Sequence, residues 1–492
     1  MRRVGLAVAL LAGALSTCRG ERHPGVLAVA MDQDVLTLDP HAHDDSVTHS
    51  VLANVYEPLV TFDREMRVVP ALAEGWSNPS DLAWVFRLRN GVRFHDGRPF
   101  SARDVKWSLE RARRMKLAPY LASVSRIALV DETTIELGTT APEPVLLNKL
   151  ANVGIVPDGT PEPIGSPVGT GPYRVVESRP GRVLRLEANP SYWRGEPSIR
   201  RAEFRVLPDA RARAAALASG EILLARELKR GDLAGAPSDV RLVTHPGLVV
   251  VVLGVNFRFP GPLTRRDVRQ AIYWALDPRE LVERSGIEGS PADEIVPPSV
   301  FGFLPDRIEP RPRLDRARAL LAEAGYPDGF EATLEMPRAY APAVGPVLAE
   351  QLARVGIRLR VEGLEWARLS QRLDRRESPF FSVGWSCNGD ASHILEGLLH
   401  SSRPGSWGAS NFGSFENARL DRAVERAREF LRPDERIGAL HEAMRIALDE
   451  LPLIPVYNRA RTYGVDERIR FSPRLNGQVL LGEISWAGEP AR

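Results

Sequence analysis

The residues with the most evident chemical potential lie in one short segment, Asp39 to Asp45, which contains three carboxylates and two imidazoles. Imidazole and carboxylate groups together suit Ni or Zn. His41 and His43 alternate along the chain, however, so their side chains are expected to face opposite ways. Asp39-Pro40 is also typical of a turn. We therefore interpret the segment as a solvated turn and predict no metal site.

Sequence motifs for catalysis are absent. The chain has no Gly-x-Ser-x-Gly elbow, no His-Glu-x-x-His, no Walker loop and no Gly-x-Gly-x-x-Gly turn between a strand and a helix. Gly169-Thr170-Gly171-Pro172 resembles a phosphate loop only loosely, because Pro172 lacks an amide N–H and no lysine follows. The sequence predicts neither an enzyme nor a bound cofactor.

The composition is that of a globular protein of several folding units. The chain has 492 residues, of which 43% are hydrophobic and 26% charged, which excludes a disordered or low-complexity protein. At about 150 residues per domain, two or three lobes are expected. Lys and Arg total 65 against 63 Asp and Glu, so the charge balance does not favour a nucleic-acid partner.

The N-terminus is typical of an export signal. Arg2 and Arg3 precede an apolar run from Val4 to Leu15, which is too short to span a membrane. Leu15-Ser16-Thr17-Cys18 resembles the bacterial lipobox, which predicts a signal peptide at residues 1–18 that ends at this cysteine, with cleavage just before Cys18 and lipidation of Cys18. The alternative is an ordinary cleaved signal with an incidental cysteine. Either way the protein is expected outside the cytoplasm.

The elements that would position a site follow from hydrophobic periodicity. Thr48 to Leu59 has helical spacing, and Leu420 to Glu450 is predicted as one long helix. Gly247 to Val255 is a continuous β-branched run, typical of a strand buried on both faces that joins two lobes. Phe381 to Trp385 is a strand followed by a polar turn, where ligands of α/β lobes bind.

Several motifs together resemble the extracytoplasmic solute-binding proteins of ABC importers for oligopeptides, dipeptides and nickel, known as family 5. The most specific is the stretch from Trp84 to Phe100, WVFRLRNGVRFHDGRPF. Others are Pro70 to Trp76, Gly169 to Tyr173 and Asn189 to Trp193. The resemblance covers the mature chain in order.

The resemblance implies a type II periplasmic-binding-protein fold of α/β class, with two lobes that close over a solute and an extra subdomain in the first lobe. Its implied divisions are the first lobe at 24–62 and 164–256, the subdomain at 63–163, the second lobe at 257–465 and a return to the first lobe at 466–492. The implied partners are ABC permease subunits, and the receptor is expected to be a monomer.

Site residues carry over position by position. In peptide-binding relatives a carboxylate three residues after the strand-end tryptophan, here Trp385, grips the ligand's amine. Asn388 stands at that position and supplies no charge. Asp390, two residues later, is the alternative carboxylate. In dipeptide-binding relatives an arginine after the preceding strand meets the ligand carboxylate, which makes Arg338 the preferred anion partner.

Other predicted contacts come from both lobes. Thr48, His49 and Ser50 occupy the first-lobe segment that faces the cleft in relatives. Trp385, at the strand end, is also predicted to contact the ligand, and Gly384 and Ser386, which flank it, would offer main-chain groups to an extended ligand by strand addition. The function expected is a receptor for short peptides. The alternatives are a receptor for a metal chelate or oligosaccharide, or a peptide sensor without import.

Overall fold

The computed structural model describes residues 25–305, 311–403 and 407–488. The predicted signal segment and Cys18 lie outside these residues. Among the described helices, none is long and apolar enough to cross a membrane.

Nineteen strands are present in the described ranges. They are β1 Val26–Met31, β2 Val60–Phe62, β3 Val68–Pro70, β4 Ala73–Ser80, β5 Ala83–Leu88, β6 Val124–Leu129, β7 Thr134–Thr139, β8 Tyr173–Arg179, β9 Val183–Ala188, β10 Arg201–Val206, β11 Leu224–Arg226, β12 Val240–Val255, β13 Gly289–Pro291, β14 Glu331–Pro337, β15 Arg358–Leu364, β16 Phe380–Ser386, β17 Leu453–Asp466, β18 Ile469–Arg470 and β19 Ser485–Trp486.

The α-helices of the same ranges connect and cover these strands. They are α1 Ser46–Leu52, α2 Ala102–Ala112, α3 Leu146–Leu150, α4 Ala210–Ala218, α5 Arg266–Ala275, α6 Pro278–Ser285, α7 Leu314–Glu323, α8 Ala341–Ala353, α9 Trp366–Asp374, α10 Ser392–Ile394, α11 Ala418–Glu429 and α12 Pro433–Glu450. A π-helical turn at Leu395–Leu399 follows α10.

Two long strands, β12 and β17, connect the two halves of the molecule. The main sheet runs in the order β15-β14-β16-β12-β17-β11-β1-β10-β9-β8. One lobe therefore holds β8 to β11 with β1, and the other holds β14 to β16. The family resemblance assigns residues up to 256 to the first lobe. In the structure, Val249 to Val255 of β12 pair with β16 of the second lobe, so the second lobe's part of the sheet begins before residue 256.

A separate four-stranded antiparallel sheet, in the order β4-β5-β7-β6, forms the body of the extra subdomain with α2. The first turn of α2 is stabilised by a capping box, in which Ser101 accepts from the Arg103 amide and Asp104 accepts from the Ser101 amide. Ser101 and Asp104, three residues apart, are the sequence signature of such a helix start.

Two predicted helices differ from the structure. α1 ends at Leu52, so the helix predicted to reach Leu59 is too long. The helix predicted from Leu420 to Glu450 is two helices, because Pro433 has no amide N–H to continue a helical ladder and instead begins α12.

The interpretation of residues 39–45 as a solvated turn is wrong for Asp39, His41 and His43, which are buried, whereas Ala42 and Asp44 are exposed. Asp39 is 2% exposed and accepts hydrogen bonds from Arg111 of α2, with N–O distances of 2.8 and 2.5 Å. His41 is also buried, and it contacts Arg111 through Nδ1 and the Gly154 carbonyl through Nε2. Burial lowers the pKa of His41 to about 4. The network ties the first lobe to the subdomain.

Candidate functional site

The crossing strands and β16 present one accessible face between the lobes. Val251 lies directly across from Gly384, and Val249 lies across from both Ser386 and Arg459. Residues directly opposite in a sheet share a face. A Cβ built on Gly384 would lie 3.1 Å from Val249 Cγ1 and 3.7 Å from Val251 Cγ2, in agreement with this register. We call these five positions the cleft floor.

The cleft floor is open to a ligand, unlike the opposite side of the same strands. Gly384 is exposed and the other four residues are partly exposed, whereas Val250 and Val252 are fully buried. The lack of a side chain at Gly384 leaves main-chain groups accessible from above. A flat apolar surface with an accessible backbone suits an extended ligand.

One edge of β16 also lacks a full strand partner. Among the described residues, β14 pairs with β16 only at Glu335 and Phe381. The ladder on that side therefore stops before Ser382 to Ser386. Unpaired N–H and C=O groups at such an edge can accept an added strand. Gly384 and Ser386, which the sequence predicts as main-chain contacts, lie in this segment.

Trp385 lies on the opposite side of the strand from Gly384 and Ser386, because side chains alternate along β16. Its ring centroid lies 5.3 Å from that of His393. The indole N–H has no hydrogen-bond partner in the described part of the chain. Its side chain therefore packs within the second lobe and lies away from the cleft floor, so the predicted contact between the Trp385 side chain and the ligand is wrong for this face.

The turn after β16 places Asn388 beside the strand end. Asn388 has a φ of 45°, and its Oδ1 accepts a hydrogen bond from Ser386 Oγ at 3.2 Å. Its amide nitrogen lies 3.3 Å from His393 Nε2. Burial lowers the pKa of His393, which favours the neutral ring. The group at this position is therefore an uncharged amide beside a neutral imidazole.

Asp390 is not available as the replacement carboxylate, and that alternative is wrong. Its two oxygens accept from both Arg436 nitrogens at 2.6 and 2.9 Å, and one also accepts from Ser392. Burial alone would raise the pKa of Asp390, but the charge and hydrogen bonds of Arg436 hold it below its usual value. Asp390 is 7% exposed, and its charge is already compensated by Arg436 inside the second lobe.

Two of the three predicted first-lobe contacts are internal, so the expectation that they face the cleft is wrong. Thr48 Oγ1 accepts from the Leu36 amide at 3.0 Å, and Ser50 Oγ accepts from the Val479 amide at 2.8 Å. Both residues are buried. They hold α1 against neighbouring first-lobe segments, because short hydroxyl side chains readily satisfy buried amides.

His49 lines a separate cavity of about 940 Å³ within the first lobe. It is the only predicted contact among the residues that line this cavity. Burial lowers the pKa of His49 to about 4. The cavity is walled by first-lobe and subdomain residues, so it is distinct from the cleft floor.

Arg338 follows β14 and is largely exposed. Its Nε lies 3.1 Å from Glu365 Oε1, and the two side chains are 65% and 70% exposed. An exposed ion pair of this kind contributes at most about 1 kcal/mol. Arg338 is therefore free to exchange Glu365 for another anion.

The structure adds charged residues that the sequence analysis did not single out. Arg459 and Arg461 of β17 donate to the two oxygens of Glu227, at 3.1 and 3.3 Å. Their signal in the sequence is an i, i+2 pair of arginines inside a long strand. That pattern places two cations on one face, but it does not reveal which partners cover them.

The subdomain and the second lobe meet through a buried carboxylate. Glu143 accepts from Lys149 at 2.9 Å and from Arg428 of α11 at 3.1 Å, and its side chain is fully buried. Nearby, a Cβ on Gly389 would lie 3.3 Å from Met66 Cε. These contacts connect the subdomain to the second lobe, so any movement of the second lobe relative to the first must change or preserve them.

Comparison with models of known protein families identifies the family of this chain. The model for bacterial extracellular solute-binding proteins, family 5, matches residues 67–406. The chain belongs to family 5. Its members are substrate-binding receptors rather than enzymes, and this protein is a solute-binding protein of the ABC importer type.

Relatives and solved structures agree with that assignment. The chain is 30% identical to heme-binding protein A of Haemophilus influenzae over 475 residues, which cover 86% of this chain and 84% of that protein. It is 27% identical to the glutathione-binding protein GsiB of Escherichia coli K12 over 482 residues, 92% and 91% of the two chains. HbpA2 from Haemophilus parasuis superposes with a TM-score of 0.82 at 25% identity, over 94% of this chain and 99% of that one. The fold is therefore the two-lobed type II fold of periplasmic binding proteins.

The buried Glu143 contact predicts a measurable stability effect. Glu143→Gln should lower the free energy of unfolding by about 1–3 kcal/mol at neutral pH, because two cations lose their charged partner. Burial raises the pKa of Glu143, but Lys149 and Arg428 outweigh burial and lower it overall. The contribution is therefore complete above the unfolded-state pKa and is lost as the pH falls through the folded-state pKa.

Urea unfolding at several pH values measures this effect. The difference between wild type and Glu143→Gln should narrow on acidification. Glu362→Gln is the control, since its partner Arg360 lies 3.7 Å away and is exposed. Equal stability of the wild type and Glu143→Gln at neutral pH would contradict the prediction.

Proposed function

We propose that this protein captures short peptides on the cleft floor and delivers them to an ABC permease. The observation that carries the proposal is the edge of β16 beside Gly384, where β14 does not pair and an added extended backbone would find hydrogen-bond partners. Capture requires only that the ligand bind the closed lobes better than the open ones, and no bond is broken. Arg338, at the exposed end of β14, is proposed as an outer cationic contact.

Named ligands of similar proteins support a peptide-like solute. DppA from Helicobacter pylori was solved in complex with the peptide STSA, and AppA from Bacillus subtilis in complex with a nonapeptide. The glutathione-binding relatives are consistent with a small peptide derivative. NikZ from Campylobacter jejuni was solved with Ni(L-His). A non-peptide solute is the second candidate, favoured by the uncharged Asn388.

The residues of the cleft predict that the charge of the peptide N-terminus has little effect on binding affinity. Asn388 is uncharged and Asp390 is occupied by Arg436, so neither supplies a charge-assisted contact to an ammonium group. Random tetrapeptides with free and with acetylated N-termini should be retained by the immobilised protein within about threefold of each other, the range of one neutral hydrogen bond.

Mass spectrometry of the eluted peptides measures this ratio. A tenfold or greater preference for the free amines would contradict the prediction. Retention of neither pool would contradict the peptide proposal and favour the non-peptide solute.

The cleft floor predicts a steric effect at Gly384. Gly384→Leu should weaken peptide retention by about 1–3 kcal/mol, because its side chain would occupy the space above Val249 and Val251. Gly75→Leu is the matched control, since a Cβ at Gly75 of β4 meets nothing within 4 Å. Wild-type retention by the correctly folded Gly384→Leu variant would place the ligand elsewhere.

The cellular location is part of the same proposal. We propose that a monomeric mature chain is held at a bacterial membrane through lipidated Cys18. Expression in a bacterium fed a labelled fatty acid should label the wild type and not Cys18→Ser. An unlabelled wild-type chain that is nevertheless exported would identify an ordinary cleaved signal.

A further inference from the structure

A row of guanidinium groups begins at the cleft floor and continues into the first lobe. Arg459 and Arg461 are two residues apart on β17, so they lie on one face, about 7 Å apart along the strand. Tyr463 is the next residue on that face, and Arg226 of β11 lies directly opposite Tyr463. We call Arg226, Arg459 and Arg461 the hinge arginines, since β17 joins the two lobes.

The exposure of the hinge arginines falls with distance from the cleft. The side chain of Arg459 is 36% exposed and that of Arg461 is 18% exposed. Arg226 is 4% exposed as a whole residue. The accessible end of the row is therefore Arg459, which lies directly opposite Val249 of β12.

One carboxylate pairs with this row. Glu227 accepts from Arg459 and Arg461, and its pKa is lowered because these charges outweigh the effect of its burial. Its main chain has a φ of 51° and is held in place by Arg213, which donates to the carbonyls of Arg226 and Glu227 at 3.0 and 2.9 Å. Glu227 is thus fixed between the two arginines and leaves part of each guanidinium unused.

The row has more donors than acceptors. In the described part of the chain, Arg226 Nη1 is buried and has no hydrogen-bond partner, and the same is true of the Tyr463 hydroxyl. Three guanidiniums face one carboxylate, which leaves a net charge of about +2 in a partly buried place. Buried donors without acceptors are costly, and such a surplus favours an anion.

The second lobe reaches the same point. The Arg459 guanidinium lies 5.8 Å from the ring centroid of Tyr340, which follows β14. β14 and β17 are separated by β16 and β12 in the sheet, so these two side chains meet over the cleft floor. An anion bound to Arg459 would therefore contact the hinge arginines and would also lie next to the Tyr340 ring of the second lobe.

We propose that the hinge arginines are the subsite for a carboxylate of the ligand, with Arg459 as the direct contact and Arg461 as the second donor. This rests on the proposed function, because it assigns the carboxyl terminus of a bound peptide to this end of the cleft floor. A guanidinium binds a carboxylate through two parallel hydrogen bonds, which discriminates strongly against a neutral amide. Arg338 is the competing candidate, since it is exposed and paired only with Glu365.

Random tetrapeptides made once with free carboxyl termini and once as amides test the assignment. Each pool is offered to the immobilised full-length protein, and the retained peptide is quantified by mass spectrometry. The wild type should prefer the acid pool about tenfold or more, because a guanidinium binds a carboxylate much more strongly than a neutral amide. Arg459→Gln should bring the acid-to-amide ratio close to one while retention of the amide pool stays nearly constant.

Three further variants isolate the residue responsible. Arg459→Lys should keep part of the preference, because it retains the charge and loses the bidentate geometry. Arg338→Gln should keep most of it. Arg360→Gln, at an exposed arginine of β15, should keep all of it. Thermal unfolding of each variant shows whether the fold is intact.

The outcomes separate the two proposals. A wild-type acid-to-amide ratio in folded Arg459→Gln, or loss of the preference in Arg338→Gln alone, overturns the hinge assignment and leaves peptide binding standing. A wild type that retains both pools equally also overturns it. A wild type that retains neither pool contradicts peptide binding, and the carboxylate assignment falls with it.

Discussion

The structure depends on a single constraint, that β12 and β17 belong to both lobes at once. Their hydrogen-bonded ladder runs from Val240 opposite Asp466 to Gly254 opposite Leu453. Any solute held between the lobes therefore rests on these strands, and any closing motion must bend at them. The side-chain alternation of a strand then decides which residues face the solute and which stabilise the core.

That alternation explains why the floor is apolar at one end and cationic at the other. Val249 and Val251 lie beside β16 in the second lobe's half, while Arg459 and Arg461 continue on the same face toward the first lobe. The bulge between Pro246 and Val249 allows β12 to pass from one register to the next at this point. A ligand that spans both regions contacts both lobes, and only such contacts favour the closed state over the open one.

Several buried charges are used for structure rather than for solute. Asp39 holds Arg111, Asp390 holds Arg436, and Glu143 is shared by Lys149 and Arg428. Each carboxylate is compensated by a partner far away in the chain. Removal of one partner would leave a buried charge uncompensated, which costs several kcal/mol. The Asp39 pair joins the first lobe to the subdomain, the Glu143 cluster joins the subdomain to the second lobe, and the Asp390 pair stabilises the second lobe internally.

The sequence by itself determined the family, the α/β class and most elements, because motifs such as Trp84 to Phe100, the cap at Ser101 and the β-branched run before Val255 are local patterns. It also located β16 and Gly384, which lie in a recognisable strand and turn. Only the tertiary structure decided which polar groups are free. Thr48 and Ser50 accept hydrogen bonds from the amides of Leu36 and Val479, and Asp390 pairs with Arg436. Arg226 lies opposite Tyr463 in the sheet. All of these partners are distant in sequence. Local periodicity sets the side on which a residue lies, whereas its availability depends on long-range packing that no single segment encodes.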